Sequence, residues 1–202
     1  MICVLNYGSG NVGSVFNVLK FLGHDVVVSN DKKDITNASH LILPGVGAFA
    51  SSMIKIKKNI PMDVLSDVVL SDGKPFLGIC VGMQVLADRG DEGGDSAGLG
   101  WIPGCIRRIN ANKVPLPHIG WNDVVVNQDT CLFKGLEKIN DFYFVHSYCF
   151  HDVSEENVLA TVDYESAVVA AVNKDNIYGV QFHPEKSQRA GQLLLNNFLS
   201  IK

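Results

Sequence analysis

The residues of greatest chemical reach in this chain are a cysteine and a histidine far apart in sequence. Cys80 stands in Gly78-Ile79-Cys80-Val81-Gly82, directly after an apolar run and before Met83-Gln84-Val85-Leu86, whose side chains favour helix. A glycine on each side of a nucleophile at this spacing is the pattern of a sharp strand-to-helix turn. The reactive side chain sits at the tip, and flanking Cβ atoms that would collide are absent. A helix beginning there also favours thiolate over thiol through its N-terminal dipole. Free cysteine is otherwise among the most buried residue types, so it is the paired glycines that mark Cys80 as a nucleophile.

A thiol nucleophile needs a base, and the base needs an orienter. Of the six histidines, His183 ends the apolar run 177–182 and is followed by Pro184 and Glu185. In an extended segment, residues two apart face the same side, so Glu185 can hold the His183 ring. Acyl chemistry also requires donors for an oxyanion. The amide of Val81 is one, and the backbone of Pro44-Gly45-Val46-Gly47-Ala48-Phe49, which follows another apolar run, would reach the same sheet edge to supply a second.

A competing pattern lies near the start. Gly8-Ser9-Gly10-Asn11-Val12-Gly13 satisfies G-x-G-x-x-G between a predicted strand and a predicted helix, with Asp31 beyond the second strand as a candidate ribose ligand. A nucleotide-binding oxidoreductase is therefore a second reading, although it leaves Cys80 and His183 without a shared role. His146, Cys149 and His151 fall on one alternating stretch, where side chains point in mixed directions. They are not read as a metal cluster, and no metal or other cofactor is expected.

These groups must be positioned by a scaffold, and the apolar pattern describes one. Short unbroken runs at 2–5, 26–28, 41–43 and 76–79 read as parallel strands covered on both faces. Val12, Val15, Phe16, Leu19 and Leu22 follow at helical spacing and stop at Gly23. Residues 47–72 suggest one or two crossover helices broken at Pro61. Beyond residue 97 the texture becomes β-rich, at 106–109, 121–126, 142–150, 158–162, 168–172 and 177–182, with Asp175-Asn176 as a hairpin turn. Residues 191–201 close the chain as a helix, and 88–100, rich in Gly, Asp and Glu, reads as a surface loop. The expected fold class is α/β, a mixed sheet flanked by helices with an antiparallel β extension, in a single domain over 1–202.

Composition narrows the function. The chain has 202 residues, 47% hydrophobic and 19% charged, enough to bury a sizeable core, and a net charge of −4 without a basic run disfavours phosphate-backbone binding. No secretion signal or membrane-length apolar stretch is visible, and five scattered cysteines without a C-x-x-C pair fit a reducing, cytoplasmic setting.

With Gly78-Ile79-Cys80-Val81-Gly82-Met83-Gln84, Pro44-Gly45-Val46-Gly47 and Gly179-Val180-Gln181-Phe182-His183-Pro184-Glu185 all present, the sequence resembles the class I glutamine amidotransferases. More narrowly, Asn6-Tyr7-Gly8-Ser9-Gly10-Asn11, Pro117-His118-Ile119-Gly120-Trp121-Asn122, Tyr143-Phe144-Val145-His146-Ser147-Tyr148 and Glu185-Lys186-Ser187 resemble the glutaminase subunits of imidazole glycerol phosphate synthases, over nearly the whole chain. The resemblance implies a glutaminase that passes ammonia to a separate (βα)8-barrel cyclase in a heterodimer of the histidine pathway. It makes Cys80 the nucleophile, His183 the general base and acid, and Glu185 the orienter. Val46, Gly47 and Val81 would face the oxyanion, and Gly47, Gln84 and the strand at His146, Ser147 and Tyr148 would hold glutamine. Gly8, Ser9, Gly10, Asn11, Tyr143 and Lys186 would face the partner. The second proline in Lys113-Val114-Pro115-Leu116-Pro117-His118 departs from the usual pattern. Gln188, Gly98-Leu99-Gly100-Trp101 and Asp141-Phe142-Tyr143 also resemble paralogues that feed ammonia to sugar-modifying amidotransferases.

Overall fold

The structure is a computed structural model, and it describes residues 1–201. In chain order the elements are β1 (Ile2–Val4), α1 (Val12–Phe21), β2 (Val26–Val28), α2 (Lys32–Asn37), β3 (His40–Gly45), α3 (Phe49–Asn59), α4 (Met62–Ser66), β4 (Phe76–Cys80), α5 (Val81–Gln84), β5 (Arg89–Gly90) and β6 (Ser96–Ala97). Then follow β7 (Cys105–Arg108), β8 (His118–Val126), β9 (Asp141–His146), β10 (Tyr148–His151), β11 (Val158–Asp163), β12 (Ala167–Lys174), β13 (Ile177–Val180) and α6 (Gln188–Phe198).

Nine strands form one sheet in the order β2-β1-β3-β4-β13-β12-β11-β8-β9. The pairs from β2 through β13 are parallel, and those from β13 through β9 are antiparallel. The apolar runs of the N-terminal half thus become central strands, while the β-rich half extends the same sheet by hairpins and meanders. The β12–β13 hairpin turns at Asp175-Asn176, with Lys174 opposite Ile177. Both faces are covered. Phe198 of α6 packs edge-on against His40 and Tyr178 on one face, and Phe76 meets Trp101 on the other, as the two-residue side-chain period requires.

Several sequence expectations change in detail. The stretch 142–150 is two strands: β9 lies along β8 in the main sheet, whereas β10 turns away after Ser147 to pair with β7 in a four-stranded second sheet, β10-β7-β5-β6. Phe142 and Phe144 point into the core and Tyr143 out of it. The stretch read as a loop at 88–100 carries β5 and β6 of that second sheet. The strand β2 sits at the sheet edge, so Val28 is exposed rather than covered on both sides. The last helix begins three residues earlier than its apolar face suggests, because Gln188 to Gly191 make its first turn with few apolar side chains. The helix after Cys80 is a single turn.

That single turn is packed backbone against backbone. A Cβ on Gly82 would lie 1.8 Å from the Leu43 carbonyl oxygen of β3, and one on Gly78 would lie 2.3 Å from the Gly82 carbonyl oxygen. Both obstacles are backbone atoms held by strand and turn, so neither can move aside cheaply. Gly82→Ala is expected to destabilise the protein by at least about 1–3 kcal/mol, read from the midpoint of chemical denaturation. An unchanged midpoint would show that β3 and the turn can separate at no cost.

Candidate functional site

Adjacent parallel strands carry Cys80 and His183 to one edge of the sheet. Ile79 of β4 pairs with Val180 of β13, so Cys80 and His183 both emerge from carboxyl ends of neighbouring strands. Cys80 itself has φ 55° and ψ −112°, a conformation costing a non-glycine residue about 1–3 kcal/mol. The surrounding contacts hold it there, with the amides of Val81 and Gly82 beginning the next turn.

His183 and Glu185 do meet, but through a turn. Residues Pro184–Lys186 form one 3-10 turn with Pro184 at its start, and His183 Nδ1 donates to Glu185 Oε1 at 2.8 Å. Both side chains are buried, at 1% and 0% exposure. The backbone around them is tied to β9: His183 N–H donates to the Tyr143 carbonyl at 2.9 Å, and Tyr143 N–H donates to Ser187 Oγ at 3.0 Å. Burial by itself lowers the pKa of the His183 imidazole. Interactions with the neighbouring Cys80 and Glu185 overcome that and raise it to about 10, which favours the imidazolium. Its Nε2 is buried and meets no hydrogen-bond acceptor among the described residues.

Asn11 completes this corner. Its Nδ2 donates to Glu185 Oε1 at 3.1 Å, and its Oδ1 accepts from Ser14 Oγ at 2.7 Å. The glycine turn before it is also required by packing, since Gly10 has φ 114° and a Cβ there would lie 2.6 Å from the Pro44 carbonyl oxygen. The dinucleotide reading fails on its other members. A Cβ on Gly13 would meet nothing within 4 Å, so no close helix–strand approach requires it. Asp31 is spent capping α2, accepting from Lys33 N–H at 2.8 Å.

A cavity of about 240 Å³ opens on Cys80 and His183, lined also by Val46, Gly47, Val81, Gln84, Glu92, Val145, His146, Ser147 and Tyr148. This is at or below the roughly 300–1,000 Å³ of drug-sized sites, a volume for an amino acid rather than a nucleotide. All the residues assigned by resemblance to oxyanion and glutamine converge here. Gln84 donates from Nε2 to the Tyr148 carbonyl at 3.0 Å. Glu92 was not singled out from the sequence, because it lies in the stretch read as a loop. Its Oε2 accepts from Phe49 N–H at 2.8 Å, which brings a carboxylate to the cavity wall. A larger groove of about 440 Å³ beside Val124 to Val126 contains none of these groups.

The outer wall of the cavity rests on two buried histidines. His146 Nδ1 faces the Tyr148 carbonyl at 2.9 Å and must carry a proton, so its Nε2 is a bare acceptor. That acceptor lies 3.2 Å from His118 Nδ1, which must therefore be protonated, leaving His118 Nε2 to accept from Asn122 Nδ2 at 3.3 Å. His118 is stacked between Phe144 and Tyr164, with ring centroids 4.7 and 4.0 Å away. Burial pushes both imidazoles down to about 4; at His146 the hydrogen bond to the Tyr148 carbonyl opposes this and the His183 charge adds to it.

The chain is similar to known proteins over nearly its whole length. The family model described as glutamine amidotransferase class-I matches residues 3–201. The imidazole glycerol phosphate synthase subunit HisH of Leptospira interrogans is 43% identical over 205 residues, covering 100% of both chains. Its counterpart in Streptococcus mutans serotype c is 45% identical over 202 residues, covering 100% of this chain and 99% of that one. Among solved structures, a glutamine amidotransferase superposes with a TM-score of 0.74 at 22% identity, over 98% of this chain and 97% of that one. A putative GMP synthase subunit from Thermoplasma acidophilum gives 0.73 at 20% identity, over 98% and 92%. At these identities the structural likeness is one of fold.

The histidine pair sets an acid limit on stability. Both rings protonate near pH 4 when folded but near 6.5 when unfolded, so below pH 6.5 the unfolded chain binds more protons and stability declines toward pH 4. Between pH 6.5 and about 5 most carboxylates stay ionised, and the melting temperature is expected to fall there already. A flat profile in that window would contradict a neutral buried pair.

Proposed function

The chain belongs to the class I glutamine amidotransferase family, and on that premise we propose that it is the glutaminase of an imidazole glycerol phosphate synthase. In this reading it hydrolyses glutamine to glutamate and ammonia. The ammonia passes to a (βα)8-barrel cyclase subunit, its partner in a heterodimer, which forms imidazole glycerol phosphate and an aminoimidazole carboxamide ribotide in histidine biosynthesis. The observation that carries the chemistry is a cysteine on a strained turn sharing one small cavity with a buried His–Glu pair.

The Cys80 thiolate attacks the carboxamide carbon, and the oxyanion takes hydrogen bonds from backbone amides of Val81 and of the Val46-Gly47 segment. The His183 imidazolium gives its Nε2 proton to the departing nitrogen, so ammonia leaves and a glutamyl thioester remains. Neutral His183 then takes a proton from water as the hydroxide attacks the thioester, which releases glutamate and restores the ion pair. Glu185, steadied by Asn11, keeps Nδ1 protonated and Nε2 facing the reaction. The ends of the substrate need opposite partners. The α-ammonium finds the Glu92 carboxylate, and Gln84, with its nitrogen already engaged, can offer only its carbonyl oxygen. The backbone of His146, Ser147 and Tyr148 lines the remaining side.

The partner surface follows from the outward faces of β8 and β9. Ile119 and Trp121 are 60% and 44% exposed, Val145 and Tyr143 stand opposite them, and Val145 also lines the cavity. Such an apolar patch beside an active site suits a protein interface. Lys186 lies 5.4 Å from the centre of the Tyr143 ring, and with the turn Gly8-Ser9-Gly10-Asn11 it borders this face in our reading.

Glutamate release from glutamine, measured with and without the cyclase barrel and its ribonucleotide ligand, is expected to be strongly stimulated by the liganded cyclase. Cys80→Ala should abolish it with the far-UV circular dichroism intact. Turnover that ignores the cyclase would point instead to a sugar-modifying partner, and normal turnover by Cys80→Ala would remove Cys80 from the mechanism. Within the triad, His183→Ala should cost about 10²–10⁴-fold in kcat, and Glu185→Gln less, since the ring keeps an acceptor. Equal losses would deny Glu185 an orienting role.

A further inference from the structure

Cys80 has a neighbour that this reaction scheme does not use. Gln181, the residue after β13, is fully buried, and its Nε2 lies 3.7 Å from Cys80 Sγ, within hydrogen-bond reach of a sulfur. A chain of acceptors determines which end of its amide faces the sulfur. The Tyr148 carbonyl can only accept, so the Gln84 atom 3.0 Å from it is nitrogen. That same nitrogen lies 3.1 Å from the Gln181 side chain, so the Gln181 atom there is oxygen, and its nitrogen is left toward Cys80. The Tyr148 carbonyl is in turn pinned by His146, which His118 and Asn122 hold in one tautomer.

We propose that Gln181 is a further residue of the nucleophile's site, donating a hydrogen bond that holds the Cys80 sulfur in place and stabilises its thiolate. The proposal rests on the reading of Cys80 as nucleophile. Cys80 is only 4% exposed, so much of the stabilisation of a negative charge on its sulfur must come from protein groups. His183 supplies a charge, and Gln181 supplies a neutral donor that stays put when His183 gives its proton away. A buried amide is costly unless both its ends are bonded, and here the two partners are Gln84 and the nucleophile.

The test is Gln181→Glu, which keeps an oxygen for Gln84 and removes the proton facing the sulfur. Alkylation of Cys80 by iodoacetamide at pH 7, followed by peptide mass mapping, should slow by about tenfold or more, the loss of a hydrogen bond to a charged group. The kcat for glutamine should fall with it while KM changes little. Should that variant fail to fold, Gln181→Met, of similar length and without a donor, is read in the same way. Alkylation and kcat at wild-type values in a folded variant overturn the proposal. Slowed alkylation in variants of a chain that does not hydrolyse glutamine would leave Gln181 its role and remove the proposed reaction. A Cys80 inert to iodoacetamide in the wild type would remove the proposed role of Gln181.

Discussion

The contact on which the rest of this molecule depends is the approach of the Gly82 backbone to the Leu43 carbonyl of β3, at a distance that admits no side chain. It forces the chain to reverse immediately after β4 and leaves Cys80 at positive φ, with its sulfur at the sheet edge. Tight main-chain packing therefore serves reactivity: the strain at one residue, worth about 1–3 kcal/mol, is held by the strands on either side. Those strands can hold it because β3, β4 and β13 are parallel neighbours whose carboxyl ends align. His183 and the Pro44–Gly47 segment then arrive at the same edge without further device.

Around that turn acceptors are shared between donors, while His183 Nε2 and Glu185 Oε2 meet no partner among the described residues. Glu185 Oε1 accepts from both His183 and Asn11, and the Tyr148 carbonyl accepts from both His146 and Gln84. The imidazolium of His183 and the neutral pair His118–His146 lie in one buried region, yet their protonation states are opposite. The difference is in partners. At His183 the interactions with Cys80 and Glu185 outweigh burial, whereas at His118 and His146 burial is the leading cause and decides their state.

Much of this was legible in the sequence, for physical reasons. Unalternated runs such as 41–43 and 76–79 mark strands covered on both faces, and the spaced glycines around Cys80 mark a turn that excludes Cβ atoms. What escaped notice has no local signature. Glu92 is one acidic residue among several in a glycine-rich stretch, and only the second sheet brings it to the cavity. Gln181 and His118 are distant in sequence from the groups they touch. The break at Ser147 is invisible to periodicity because β9 and β10 are both apolar on one side. The glycine pattern at Gly8 to Gly13 misleads for an instructive reason: a turn pressed against another backbone and a turn pressed against a pyrophosphate ask for the same residue.

The strand β9 joins the two faces of the molecule's chemistry. Its outward side chains, Tyr143 and Val145, belong to the exposed apolar face, while its inward ones, Phe142 and Phe144, stack into the core on Phe182 and His118. Its backbone meanwhile holds the His183–Glu185 corner, through Tyr143 to His183 and Ser187. A strand placed at the edge of its sheet, as β9 is, has one side free of ladder hydrogen bonds. Those backbone groups are here turned to fixing the histidine loop. Any force applied to the outer face of β9 is therefore borne by the same main chain that sets the position of His183.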